Sequence, residues 1–226
     1  MAAAGSGERL GAGGPKAFAD LGGRPLLAWS LDAFERADLV GPIIVAVPAG
    51  HEGAVRDGTV AVAGGASRSE SVAAGLERVA TELVAVHDAA RPLVTAELID
   101  ELVAKLLDRP DAAAVIAAAP LTDTVKRARE PRPSRGDLPL RDPTVAQTVS
   151  REHLWAAQTP QVFRTDALRH ALDTDQQRIS AATDEAMLVE ESGGQVLIHP
   201  SPPANLKVTT PLDLRIAELL MAERGG

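Results

Sequence analysis

Short, uninterrupted apolar runs alternate with stretches of helical periodicity along most of this chain. That alternation limits the folds open to it more than any other feature. Pro42–Pro48, Thr59–Ala63, Leu83–His87 and Ala113–Ala118 are apolar runs of strand length. Without polar alternation, such runs suit strands buried on both faces, as in a parallel sheet. Between them lie helical patterns. Leu26, Leu27, Leu31 and Phe34 share one face of a helix expected to run to about Leu39. Ser67 and Glu70 match a capping box ahead of Val72, Leu76 and Val79. Thr95 is the expected cap of a helix with Leu98, Ile99, Leu102, Val103 and Leu106 on its buried side. The expectation is an α/β fold with a mostly parallel sheet flanked by helices. With 226 residues, 45% of them hydrophobic, the chain can bury one sizeable core, so residues 1–226 read as one domain.

From Pro120 to Val149 the pattern changes. Thr122–Arg127 and Thr144–Val149 read as strands on either side of a charged segment holding Pro131, Pro133, Pro139 and Pro143. A surface loop and a two-stranded arm reaching another subunit both fit that pattern. Further on, Thr165 and Thr183 are expected to cap helices ending at Leu172 and at Gly193-Gly194. Gln195–His199 reads as a strand and Asn205–Val208 as a short strand or turn. Thr210 with Pro211 opens a last helix, with Leu212, Ile216, Leu219 and Leu220 expected to face inward.

The chemistry concentrates near the start. Gly5, Gly7, Gly11, Gly13 and Gly14 form a loop whose backbone N–H groups can approach phosphates, and Arg9 and Lys16 add two cations. A Walker A loop needs Gly-Lys-Ser/Thr, yet Lys16 stands between Pro15 and Ala17; a dinucleotide fingerprint needs glycine where Leu10 stands. What remains, G-x-G-x-R followed by Pro-Lys, resembles the opening of sugar-phosphate and polyol-phosphate nucleotidyltransferases. Asp88 directly follows an apolar run, so it belongs at the carboxyl end of a strand, where open α/β sheets bind ligands. One or two carboxylates suit a magnesium ion on nucleotide phosphates. Arg91 lies three residues on, and Lys207 sits between Leu206 and Val208. Gly65 precedes the N-terminus of the Ser67-capped helix, a natural anion site.

Composition closes other routes. With no cysteine, neither disulfides nor a cysteine-ligated metal can form. No apolar run nears the roughly 18 residues of a membrane span and no signal peptide is apparent, so a cytoplasmic protein is expected. A net charge of −8 argues against a nucleic-acid surface. An anionic substrate would have to be held by local cations. The histidines show no pair at zinc-ligand spacing, and no G-x-S-x-G elbow occurs.

Eight pieces in register resemble the 2-C-methyl-D-erythritol 4-phosphate cytidylyltransferase family. They are Ala3–Arg9, Pro15-Lys16, Gly64-Gly65 with Arg68 and Ser71, Val86–Pro92, Asp123–Lys126, Gln158–Gln161, Ala182–Ala186 and Asn205–Val208. The resemblance implies a Rossmann-like (GT-A-like) nucleotidyltransferase fold with an extended β-arm over 120–149, and a homodimer through that arm. It implies transfer of CMP from CTP to methylerythritol phosphate, with Mg2+. Arg9, Lys16, Arg151 and Lys207 would be catalytic. Ala3, Ala4, Gly5, Gly7, Gly65, Arg68 and Ser71 would hold the cytidine nucleotide. Asp88, Arg91, Thr124, Thr159 and Thr183 would form the substrate pocket, with Asp88 also the metal ligand. Ribitol-5-phosphate cytidylyltransferase and a non-catalytic nucleotide-binding remnant are the competing readings. The family carries an apolar strand before the glycine loop, whereas only Met1 and Ala2 precede Ala3 here. The expectation is therefore that the central strand is missing and the native start lies upstream.

Overall fold

A computed structural model describes residues 1–5, 7, 10, 14–129 and 142–225. Arg9, Gly11, Gly13 and the proline-rich segment over 130–141 lie outside those residues. A hairpin of β1 (Asp20–Leu21) and β2 (Arg24–Pro25) leads into α1 (Leu26–Arg36). Then come β3 (Ile44–Val47), β4 (Val60–Ala63), α2 (Arg68–Leu76), β5 (Leu83–Val86), α3 (Ala96–Leu107) and β6 (Ala114–Pro120). β7 (Val125–Ala128) pairs antiparallel with β8 (Val145–Val149), forming the expected ribbon. β9 (Trp155–Arg164), α4 (Thr165–Leu172), α5 (Gln176–Ala181), α6 (Glu185–Glu191), β10 (Val196–Pro200) and α7 (Pro211–Gly225) complete the order.

One sheet has the order β10-β6-β9-β5, and β3 pairs with β4 beside it. β9 runs antiparallel to both its neighbours, while β10 is parallel to β6 and β3 to β4. The sheet is therefore mixed, with β9 reversed against an otherwise common direction. Alternation along β6 sends side chains to two cores. Val115 and Ala117 pack with Phe34 of α1 and with Ile99, Leu102 and Leu106 of α3. Ala114 and Ile116 pack on the other face with Val72, Leu168, Leu188 and Phe163. Helices on both faces of a sheet make the α/β architecture the alternation predicted.

The chain start takes the place between β3 and β5. Ala2 forms parallel bridges to Ala46 and to Asp88. Its N–H donates to His87 O at 2.8 Å, and the Ala3 N–H donates to Ala46 O at 2.8 Å. The place of the expected central strand is thus bridged by a residue or two. Beyond the bridge, β3, β5, Val72, Leu76 and Val79 border an apolar trough of about 420 Å3.

Several local expectations are corrected. α1 stops at Arg36 rather than near Leu39, because the Asp100 carboxylate accepts from the N–H groups of Asp38 and Leu39 and turns the chain. Thr165 is the first helical residue of α4, not its cap; Arg164 holds that position. Asp184, not Thr183, caps α6, accepting from the Met187 N–H. Asn205–Val208 is neither the strand nor the turn expected but irregular backbone after a turn at 203–204. α7 docks on a different face from the expected one. Leu212 and Leu219 are 64% and 68% exposed and Ile216 is also exposed. Of the expected four, Leu220 packs inward, together with Leu214, Ala217 and Met221. Apolar residues surround this helix, so periodicity alone allows two orientations. Its N-terminus chooses between them: Thr210 and Asp213 exchange capping bonds there, next to the buried Val208.

Candidate active site

The chain start with its glycine loop, the carboxyl end of β5, the N-terminus of α2 and the segment around Lys207 enclose a cavity of about 600 Å3. Ala3, Ala4, Gly5 and Gly7 line one side and Gly65, Arg68 and Ser71 another. Lys16, Asp88 and Lys207 face it as well. These residues come from four separate stretches of sequence.

Glycine is required at the close approaches. Gly7 has φ +75°, and a Cβ there would lie 3.0 Å from Lys16 N. A Cβ on Gly64 would meet the Ala4 side chain at 2.5 Å, and one on Gly65 would meet Glu70 at 2.3 Å. Such contacts are untenable without backbone movement. The loop is thus pressed against α2, whose cap is built as expected: the Ser67 hydroxyl accepts from the Glu70 N–H. The Glu70 carboxylate returns to the Ala66 N–H at 2.7 Å. Ser71, nearly fully buried, donates to Ser67 O and accepts from the Gly65 N–H.

Asp88 is the electrostatic centre. It is only 6% exposed and takes two cations, one on each oxygen. Arg68 Nε donates to Oδ1 at 2.7 Å and Lys207 Nζ to Oδ2 at 2.7 Å. Burial alone would raise its pKa; Arg68 and Lys207 outweigh it and hold the carboxyl well below the usual carboxylate range. Burial would likewise lower the Arg68 pKa, but Asp88 and Glu185 hold it above the ordinary value. Asp88 is therefore ionised and Arg68 is charged.

Lys207 is delivered by a braced segment. Val208 N–H donates to Ala90 O at 2.8 Å. Asn205 Nδ2 donates to Thr159 O and Gln158 Oε1, and Arg91 Nη1 donates to Asn205 O. At the start of α7, Asp213 accepts from the N–H groups of Thr209 and Thr210.

The other expected site residues are placed differently. Arg91 braces backbone carbonyls and is absent from the cavity lining. Thr159 is buried, its hydroxyl set between the Asp88 N–H and His87 Nδ1. Thr124 and Arg151 are exposed at the base of the β7–β8 ribbon, and Thr183 is exposed just before α6. The structure does not bring these five into the cavity.

Two contributors escaped sequence reasoning. Glu185, fully buried at the start of α6, bonds Arg68 and Ser69. A glutamate in a first helical turn reads as a dipole-favoured surface residue, so nothing in its spacing signals burial. His87 is the second. Its Nε2 contacts a carbonyl, Arg91 O, which can only accept, so the proton sits there and Nδ1 accepts from Thr159. Burial pushes the His87 pKa down to about 3. An unfolded histidine titrates near pH 6.5, so between roughly pH 6.5 and 3 the unfolded chain binds a proton that the folded one excludes. Stability contributed by neutral His87 is complete above that window and falls as pH drops through it, by about 1.4 kcal/mol per pH unit. His87→Gln is expected to flatten the fall in Tm between about pH 7 and 5; parallel wild-type and variant profiles would refute this.

Cationic side chains, glycine turns and, among the described lining residues, a single carboxylate fit a nucleotidyltransferase of the α/β class. The chain belongs to the 2-C-methyl-D-erythritol 4-phosphate cytidylyltransferase (IspD) family, whose model matches residues 1–223. It is 40% identical over 231 residues to the family enzyme of Symbiobacterium thermophilum, covering 98% of this chain and 91% of that one. It is 43% identical over 226 residues to the enzyme of Frankia casuarinae, covering 97% and 79%. The crystal structure of the Thermus thermophilus enzyme matches with a TM-score of 0.75 at 34% identity, over 92% of this chain and 94% of that one.

Proposed function

We propose that this cavity transfers CMP from CTP to 2-C-methyl-D-erythritol 4-phosphate, releasing pyrophosphate and forming the CDP-alcohol used in isoprenoid precursor synthesis. The observation that carries the reading is the convergence of Lys16, Arg68 and Lys207 with Asp88 on a cavity floored by the glycine loop. A phosphate monoester already carries a nucleophilic oxygen, so the reaction needs little general base. It needs positioning and neutralisation of the charge that develops on the triphosphate. Lys16 is placed to stabilise that charge, with Arg9 assigned the same role by family resemblance. Lys207, tied to Asp88, is placed to hold the incoming phosphate beside the α-phosphorus. Ala3, Ala4, Gly5, Gly7, Gly65, Arg68 and Ser71 form the nucleotide cradle.

Magnesium fits the donor set. Asp88 is the one carboxylate among the described lining residues, and no group of three or more metal-ligating side chains occurs among the described residues. An ion held by one carboxylate together with substrate phosphates suits magnesium chemistry. Asp88 would hold it, and the ion would supply positive charge to the phosphates.

Arg151 and Thr124 act, in this reading, from the arm of a second copy. Their exposed positions at the base of the β7–β8 ribbon favour that assignment. The arm over 120–149 would then make a homodimer, visible as twice the monomer mass in sedimentation. No described helix is long and apolar enough to cross a membrane, and the setting proposed is the cytoplasm. The test of function is pyrophosphate release with CTP and Mg2+. Release is expected with methylerythritol phosphate, and not with ribitol 5-phosphate or without acceptor. Release with ribitol 5-phosphate alone would move the chain to that activity; nucleotide binding without release would make it a binding protein.

A further inference from the structure

Arg68 is held from two sides by acids that differ in kind. Asp88 faces the cavity. Glu185 does not: it is fully buried behind α2, on a helix more than a hundred residues further along the chain. Its Oε2 accepts from Arg68 Nη1, and its Oε1 accepts from the Ser69 hydroxyl at 2.9 Å. α6 is itself pinned at this point. Asp184 caps the helix and accepts from Gln161 Nε2 of β9 at 2.8 Å. Glu185 therefore stands on a fixed platform, and the guanidinium is oriented by the sheet through α6.

The geometry points to Glu185 as a positioning residue for the nucleotide. With Nε on Asp88 and Nη1 on Glu185, the Arg68 fork is spread between two carboxylates. Nη2 makes no hydrogen bond among the described residues, and Arg68 lines the cavity, so this is the edge left for an anion. A planar guanidinium prefers a two-pronged grip on one carboxylate when one is within reach. Without Glu185, Arg68 is free to close both prongs on Asp88. That withdraws the Nη2 edge from the nucleotide, while Asp88 Oδ2 stays with Lys207. Glu185 touches neither substrate nor cavity and acts only through Arg68.

The inference rests on the cavity holding CTP, which the wild-type assay tests separately: an inactive wild type would remove the function, whereas the results below concern Glu185 alone. Steady-state kinetics of Glu185→Gln are expected to show KM for CTP raised roughly ten- to a hundredfold, the scale of a lost hydrogen bond to a charged group, with KM for methylerythritol phosphate unchanged. Arg68→Gln should raise KM for CTP similarly, and Arg68→Gln/Glu185→Gln should be no worse than Arg68→Gln. A folded Glu185→Gln with wild-type KM for CTP would overturn the inference. So would equal increases in both KM values, the mark of a merely structural role. If Glu185→Gln alone does not fold, Arg68→Gln, which leaves Glu185 bonded to Ser69, and the double variant, which removes both charges, carry the test: equal KM for CTP supports the inference, and a further rise in the double variant defeats it.

Discussion

Asp88→Asn is expected to reduce turnover roughly a thousandfold, the largest effect of any single substitution in the cavity. The carboxylate keeps two cations, Arg68 and Lys207, in place at 2.7 Å each. An amide of the same shape presents one oxygen and one NH2, so at least one cation meets a donor instead of an acceptor. The other keeps a bond without charge compensation. Breaking a buried ion pair costs about 3–5 kcal/mol. The Lys207 side chain is 41% exposed, so water offsets part of the loss on that side and a figure near 4 kcal/mol is appropriate. Taken wholly as lost transition-state stabilisation, at about 1.4 kcal/mol per decade, that is about three decades in rate. The same change removes the residue proposed to hold magnesium. Pyrophosphate release under saturating CTP, read beside a melting curve, makes the check: a folded variant within about threefold of wild type would show that Asp88 is a structural anchor only.

Lys16→Ala should follow closely, with turnover down by a factor of about 100 to 1,000, or about 3–4 kcal/mol of barrier. Lys16 lines the cavity directly after the glycine loop, and its N–H is bonded to Gly5 O at 3.1 Å. Lys16 itself opens a short 3-10 turn, Lys16–Phe18. The backbone is thus held on both sides of the ammonium. A cation so placed stabilises developing phosphate charge without rearranging during the step. Ground-state binding of the triphosphate gains as well, so both kcat and KM for CTP are expected to change, kcat more. Lys16→Arg should recover only part of the loss, because a planar fork replaces a point charge. Unchanged kcat with raised KM would reduce Lys16 to a binding residue.

The two expectations differ in how they were reached. Lys16 was legible because glycine spacing and proline punctuation are local signals, and the turn they specify is local too. Asp88 was legible by position, as the residue after an apolar run. Its partners were not: Arg68, Lys207 and Glu185 are separated from it and from one another by long stretches, and periodicity carries no distances between elements. β9 was missed for a related reason. Gln158, Thr159, Pro160 and Gln161 break any apolar pattern, and a proline argues against a central strand. The polar side chains lie inside all the same because partners elsewhere meet them: Asn205 for Gln158, His87 for Thr159 and Asp184 for the Gln161 amide nitrogen. Thr159, read as a pocket residue, is turned into that internal network.

The chain's own order of residues determined the alternating α/β layout, the caps of α2, α3 and α7, and the glycines and Lys16 that line the cavity. Each of these follows from periods of two or 3.6 residues, or from backbone constraints acting over a few positions. Tertiary structure alone decided the direction of β9, the face on which α7 docks, the reach of Lys207 to Asp88 and the burial of Glu185 behind Arg68. Those outcomes depend on which surfaces meet, and the free energy of a meeting resides in both partners and in the water they displace, so neither partner's sequence contains it.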